Sequence, residues 1–70
     1  MKIDPCIPFG LNLRTLREHK GISQEKLAEL SLLDRTYISS VERGKRNLGL
    51  RNIIKIAQAL EIHPSKLLTF

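Results

Sequence analysis

Between Arg35 and Lys55 the chain carries Arg35, Arg43, Lys45, Arg46, Arg51 and Lys55 against one acid, Glu42, so this stretch holds the whole formal net charge of +5. Guanidinium and ammonium groups gathered in this way suit a polyanionic partner, although the same charges would also serve as a solvated face. Where the helices place them decides between the two. Other chemistries are poorly supplied. His19 and His63 fall at predicted helix ends far apart in sequence, and neither has a second ligand three or four residues away, so no metal site, cofactor site or catalytic pair is expected. For His19 a favourable interaction with a helix C-terminus is the simpler role. Cys6 is the one cysteine, which excludes an internal disulfide and a cysteine-rich zinc site. No apolar run approaches the roughly 18 residues of a membrane span, and Asp4, Pro5 and Pro8 interrupt the stretch where a secretory signal would be apolar. The basic stretch also lacks the aromatic-rich face of a membrane-surface helix. These features lead us to expect a cytoplasmic protein with no membrane partner.

Periodicity and punctuation indicate the elements that must position these groups. Seventy residues suffice for one domain resting on its hydrophobic core, and we divide them into an N-terminal arm, residues 1–8, and a domain over residues 9–70. Pro5 and Pro8 make the arm a poor helix, with Pro8 near the first turn of a helix that runs to His19. Phe9, Leu13 and Leu16 share its apolar face, the stem of Lys20 follows in register, and Gly21 stops it. Ser23 suits the N-cap of a second helix reaching about Leu30, with Glu25 favourable to the dipole and Leu27, Ala28 and Leu30 turned inward. Asp34 is a candidate cap for a third helix to about Arg43, whose apolar side is Tyr37, Ile38 and Val41 and whose stop is Gly44. Lys45 to Gly49 reads as a loop. Leu50 to Leu60 forms a fourth helix with Leu50, Ile53, Ile54, Ala57 and Leu60 in register, and His63 caps a last short helix from Pro64 to Leu68. Period-two alternation and hairpin dipeptides are absent, so the predicted class is all-α, a compact domain of five helices.

The second and third helices, two turns each with about three residues between them, have the proportions of a helix-turn-helix. The stretch Gly21-Ile-Ser-Gln-Glu-Lys-Leu-Ala-Glu-Leu, followed by Asp34-Arg-Thr-Tyr-Ile-Ser-Ser-Val-Glu-Arg-Gly-Lys-Arg-Asn, resembles the Cro and CI repressor (Xre) family, over about Phe9 to Leu68. More narrowly, Leu33-Asp-Arg-Thr-Tyr-Ile-Ser with Glu42-Arg and Arg46-Asn-Leu resembles the controller proteins of restriction-modification systems. The resemblance implies a lambda-repressor-like fold and a sequence-specific transcription regulator binding double-stranded DNA as a homodimer. It further implies that Gln24 hydrogen-bonds a phosphate, and that Arg17 and Glu42 form a structural ion pair joining the first helix to the end of the third.

Residue chemistry assigns the remaining roles. Arg35 and Thr36, in the exposed first turn of the third helix, suit base contacts, since Arg forks to guanine O6 and N7 and Thr meets a thymine methyl. Ser39 and Ser40 lie one turn on, where one of them reaches a base edge or a phosphate. Tyr37 is either core with its hydroxyl tied back or a phosphate ligand, and the controller resemblance places it with the backbone contacts. Arg43, Lys45, Arg46 and Asn47 would sit over the phosphates. The fourth helix and the tail carry more apolar surface than one small core uses, so Ile53, Ile56, Leu67, Leu68 and Phe70 are the expected dimer interface. Two positions depart from the family pattern: Leu32 stands where the turn usually has Gly, and Gly49 where Ser often caps the fourth helix. An antitoxin or other protein-interaction module on the same fold is the alternative, as is a phage-type repressor, although such repressors commonly add a second domain. An activator would also touch RNA polymerase, through a patch that the sequence does not locate.

Overall fold

A computed structural model describes residues 3–70, and its four α-helices all close in the same way. They are α1 Cys6–His19, α2 Gln24–Ser31, α3 Arg35–Glu42 and α4 Leu50–Leu60, followed by a 3₁₀ helix over Pro64–Leu68. After each α-helix one residue takes the left-handed conformation, at Gly21, Leu32, Gly44 and Glu61. The amide of that residue and the one after it return to the last turn, as when Leu32 N–H donates to Glu29 at 3.4 Å and Leu33 N–H to Ala28 at 3.0 Å. Leu32 therefore adopts the strained conformation that its family position calls for, with φ 59° and ψ 35°. The next residue explains why this is tolerated. Ile22, Leu33 and Ile62, each directly after a left-handed residue, pack against the core and anchor the closure of α1, α2 and α4.

The fifth helix of the sequence reading is not an α-helix. Pro64 opens a segment of only five residues, which closes by the i→i+3 bond from Lys66 N–H to the His63 carbonyl in 3₁₀ geometry and is capped by His63, whose ring nitrogen accepts from Ser65 N–H. The helix total is thus four rather than five. The first helix also starts earlier than expected. Asp4 Oδ1 accepts the Cys6 N–H at 3.0 Å, and Pro8 falls in the first turn, where a missing N–H costs nothing. Of the proposed arm, residues 1 and 2 lie outside the described residues, and α1 takes up the rest from Cys6 onward.

The core is built from Phe9, Leu13, Leu27, Ala28, Ile38, Val41, Ile56, Ala57, Leu60 and Leu67. Helix α1 packs on α3 and the 3₁₀ helix, while α2 lies between α3 and α4. Leu30 and Leu50 are not inside as the periodicity implied: Leu50 opens α4 with nothing packed over it and is 74% exposed, and Leu30 points outward from the last turn of α2. Lys20 is likewise exposed at the end of α1. Two of the expected dimer residues are corrected. Ile56 and Leu67 are 0% exposed and fill the protomer's own core, whereas Leu68 and Phe70 are exposed and Ile53 is half-buried. Asn12 ties α1 to this end of the molecule by donating to the carbonyls of Lys66 and Leu67 at 2.8 and 3.0 Å. Among the described residues no helix is long and apolar enough to cross a membrane.

Candidate nucleic-acid interface

Burial of Ile38, Val41 and Glu42 fixes which side of α3 faces the protein, and Arg35 and Thr36 are left exposed at its start. Asp34 takes the extended conformation of an N-cap without a side-chain hydrogen bond, so the first amides of α3 are not covered by its carboxylate. By contrast the Ser23 hydroxyl accepts from Lys26 N–H and closes the start of α2. Ser39 and Ser40 are half-buried, and Ser40 accepts from Arg43 Nη2 at 3.4 Å. Their reach outward is therefore shorter than that of Arg35.

The far end of α3 is fastened by a buried ion pair. Arg17 Nε donates to Glu42 Oε2 at 2.6 Å and its Nη2 to Oε1 at 3.0 Å, while Nη1 donates to the Ile22 carbonyl at 2.8 Å. The hydrogen bonds to Glu42 push the Arg17 pKa above its ordinary value despite the opposing effect of burial. Gln24, the first residue of α2, completes the arrangement by donating Nε2 to Glu42 Oε1 at 3.0 Å. One amide hydrogen and the amide oxygen of Gln24 then have no partner among the described residues. A phosphate contact from Gln24 remains available to that second hydrogen.

Close approach of α1 to this end depends on Gly10, which the sequence reading did not single out. A methyl group there would overlap the Val41 carbonyl oxygen and stand 2.7 Å from that of Glu42. A glycine inside a helix with no turn to make was the available signal.

The fold gives Tyr37 the first of its two expected roles, a core-edge ring with its hydroxyl tied back. Its ring packs against the core edge, and its hydroxyl accepts from Asn52 Nδ2 in the first turn of α4 at 3.0 Å. Above the ring stands the Arg46 guanidinium, 5.1 Å from the centroid. Arg43, Lys45, Arg46 and Asn47 follow α3; Arg43, Lys45, Arg46 and Asn47 bear no salt bridge among the described residues, and Lys45, Arg46 and Asn47 are exposed with Arg43 beside them. The salt bridges among the described residues lie elsewhere: Arg14 with Glu18 in α1, Lys26 with Glu29 in α2, and Arg17 with Glu42 behind α3. Among the described residues none of the six basic residues between Arg35 and Lys55 is engaged by an acid, so each keeps its charge free. No cluster of metal-ligating side chains occurs among the described residues. Neither periodicity nor motif pointed to Asn52, because its partner lies fifteen residues away on another helix.

Comparison with known proteins agrees with this geometry. A family model described as helix-turn-helix matches residues 13–67. The control protein C.BamHI of Bacillus amyloliquefaciens is 52% identical over 63 residues, covering 89% of this chain and 78% of that protein. The control protein C.MunI of a Mycoplasma species is 49% identical over 65 residues, covering 91% and 88%. In three dimensions the crystal structure of the restriction-modification controller C.AhdI from Aeromonas hydrophila matches with a TM-score of 0.87 and 56% identity, over 89% of this chain and 94% of that one. The chain belongs to the Xre-type helix-turn-helix transcription regulators and is of the restriction-modification controller type.

Proposed function

We propose that the protein acts as a homodimer on an inverted-repeat DNA operator, with α3 in the major groove, and controls a restriction-modification system, as the name of the controller protein C.AhdI says of that protein. One observation carries this reading: α3 buries Ile38, Val41 and Glu42 while exposing Arg35 and Thr36 beside three unpaired cations, Arg43, Lys45 and Arg46. A helix about 10 Å across enters the major groove, and residues at its exposed N-terminal end reach base edges there. In this reading Arg35 and Thr36 read bases, with Ser39 or Ser40 a shorter-range contact. Gln24, Tyr37, Arg43, Lys45, Arg46 and Asn47 grip the backbone.

The dimer reading rests on Leu68 and Phe70, which stay exposed and border a largely apolar cleft with Phe9, Leu48 and Ile53, next to Arg46 and Asn47. Phe70 meets Phe9 edge to face at 6.3 Å. A second copy seated there would set two recognition helices about 34 Å apart, one turn of DNA. Sedimentation at micromolar concentration is expected to give twice the 8.0 kDa monomer mass; monomer alone would overturn the dimer.

Selection of bound duplexes from a random pool tests the whole reading and should return an inverted repeat. Arg35→Ala should then weaken binding by roughly 1 to 3 kcal/mol and relax preference at one base pair in each half-site. Equal weakening on every sequence would make Arg35 a phosphate ligand instead.

A further inference from the structure

We propose that Asn52 is a positioning residue for DNA recognition: by donating to the Tyr37 oxygen it turns the phenolic hydrogen outward, presetting Tyr37 as a phosphate donor. The inference rests on the DNA-binding reading above and assigns a role to a helix, α4, that this reading otherwise leaves out of the interface.

The geometry leaves Tyr37 little freedom. One side of its ring packs on the core, and Arg46 stands over the ring at 5.1 Å, so the ring itself is held. What remains is rotation of the O–H bond. A phenolic hydrogen lies near the ring plane and has two favoured positions, one on each side of the C–O axis. Asn52 Nδ2, at 3.0 Å, approaches the oxygen as a donor. A hydrogen pointing at that donor would face another hydrogen, so the O–H takes the opposite position. Polarisation by the amide also strengthens the outward donor. Asn52 is well placed for this task, being half-buried in the first turn of α4 and held by the helix backbone. The same ring then serves as the platform for Arg46, so one amide indirectly organises both a neutral and a charged contact to the DNA backbone.

The test is a double-mutant cycle on the duplex recovered from the random pool, with Asn52→Ala, Tyr37→Phe and the pair. Phenylalanine keeps the ring beneath Arg46 and removes only the hydroxyl. Asn52→Ala should weaken binding about three- to tenfold, the range of one hydrogen bond, and should have less than about a twofold effect in the Tyr37→Phe background. Both variants should leave the slope of log K against log salt unchanged, because no charge is lost, whereas Arg46→Ala should reduce its magnitude by about 0.9. Asn52→Asp presents an acceptor and so draws the phenolic hydrogen inward. It should weaken binding more than Asn52→Ala when Tyr37 is present, and the part of the loss that persists in the Tyr37→Phe background measures charge repulsion alone. Aspartate suits the first turn of a helix, so this variant keeps the test alive if the alanine variant unfolds.

Equal effects of Asn52→Ala in the two backgrounds would overturn the inference, as would a loss in the aspartate variant that is the same whether the tyrosine is kept or replaced by phenylalanine. If Arg35→Ala also leaves binding unchanged, it is the placement of α3 in the groove that has failed. If Arg35→Ala weakens binding while the cycle is additive, only the role of Asn52 is lost.

Discussion

The ends of α2 and α3 close with the same pair of backbone hydrogen bonds, yet the residues that follow are of opposite character. After α2, the left-handed residue is Leu32, 86% exposed and strained, and the next residue, Leu33, packs on the core. After α3, the left-handed residue is Gly44, at φ 74°, and the next is Lys45, exposed and unpaired. The α2 end is an internal joint of the helix-turn-helix, where burial of Leu33 offsets the strain one residue earlier. The α3 end has no apolar anchor of that kind. It is held from behind instead, by the Arg17 and Glu42 ion pair, which leaves the outer surface free to carry charge. In the proposed DNA-facing orientation, this turn takes its stability from the side away from the DNA.

The largest effect should come from removing that rear support. Glu42→Ala strands Arg17, which is nearly inaccessible, and should lower stability by about 3 to 5 kcal/mol, read as a fall in melting temperature. An unchanged melting temperature would mean that α3 is held by apolar packing alone. Next comes Gly44→Ala, because a methyl group would meet the Ile7 Cα at 3.0 Å in a left-handed backbone, costing about 2 kcal/mol in denaturant unfolding. The mirror experiment at α2, Leu32→Gly, should stabilise by roughly 1 kcal/mol, as strain is relieved and an exposed side chain is lost. Destabilisation there would show that Leu32 contributes a contact which outweighs its backbone cost. Smallest in stability is Lys45→Ala, which should leave unfolding unchanged and reduce the magnitude of the salt slope of DNA binding by about 0.9.

Much of the molecule was legible in the order of its residues. The stops at Gly21 and Gly44, the cap at Ser23 and the span of α4 from Leu50 to Leu60 follow from punctuation and period, which are local properties. The exposed first turn of α3 was legible for the same reason. Errors arose where a local signal met a nonlocal neighbour. Leu50 satisfied the helical period but has nothing packed over it, and Leu30 was read as inward although α2 turns Leu27, Ala28 and Ser31 to the core and leaves Leu30 outside. Ile56 and Leu67 looked like surplus apolar surface, but α4 and the 3₁₀ helix close on each other and bury both. At Leu32, sequence posed the question of the turn's shape, and the burial of Leu33 answers it.

By itself, the sequence determined an all-helical chain, the positions of its helices, the stretch that carries its charge and the family to which that pattern belongs. Hydrophobic period, capping residues and charge all act within a few positions along the chain, so they can be read from it directly. Only the tertiary structure decided which apolar residues form the core, why Gly10 must lack a side chain, and which groups hold Tyr37 and Gln24. Those outcomes depend on residues fifteen to thirty-two positions apart coming into close contact, and contacts at that separation leave no periodic trace in the order of the residues.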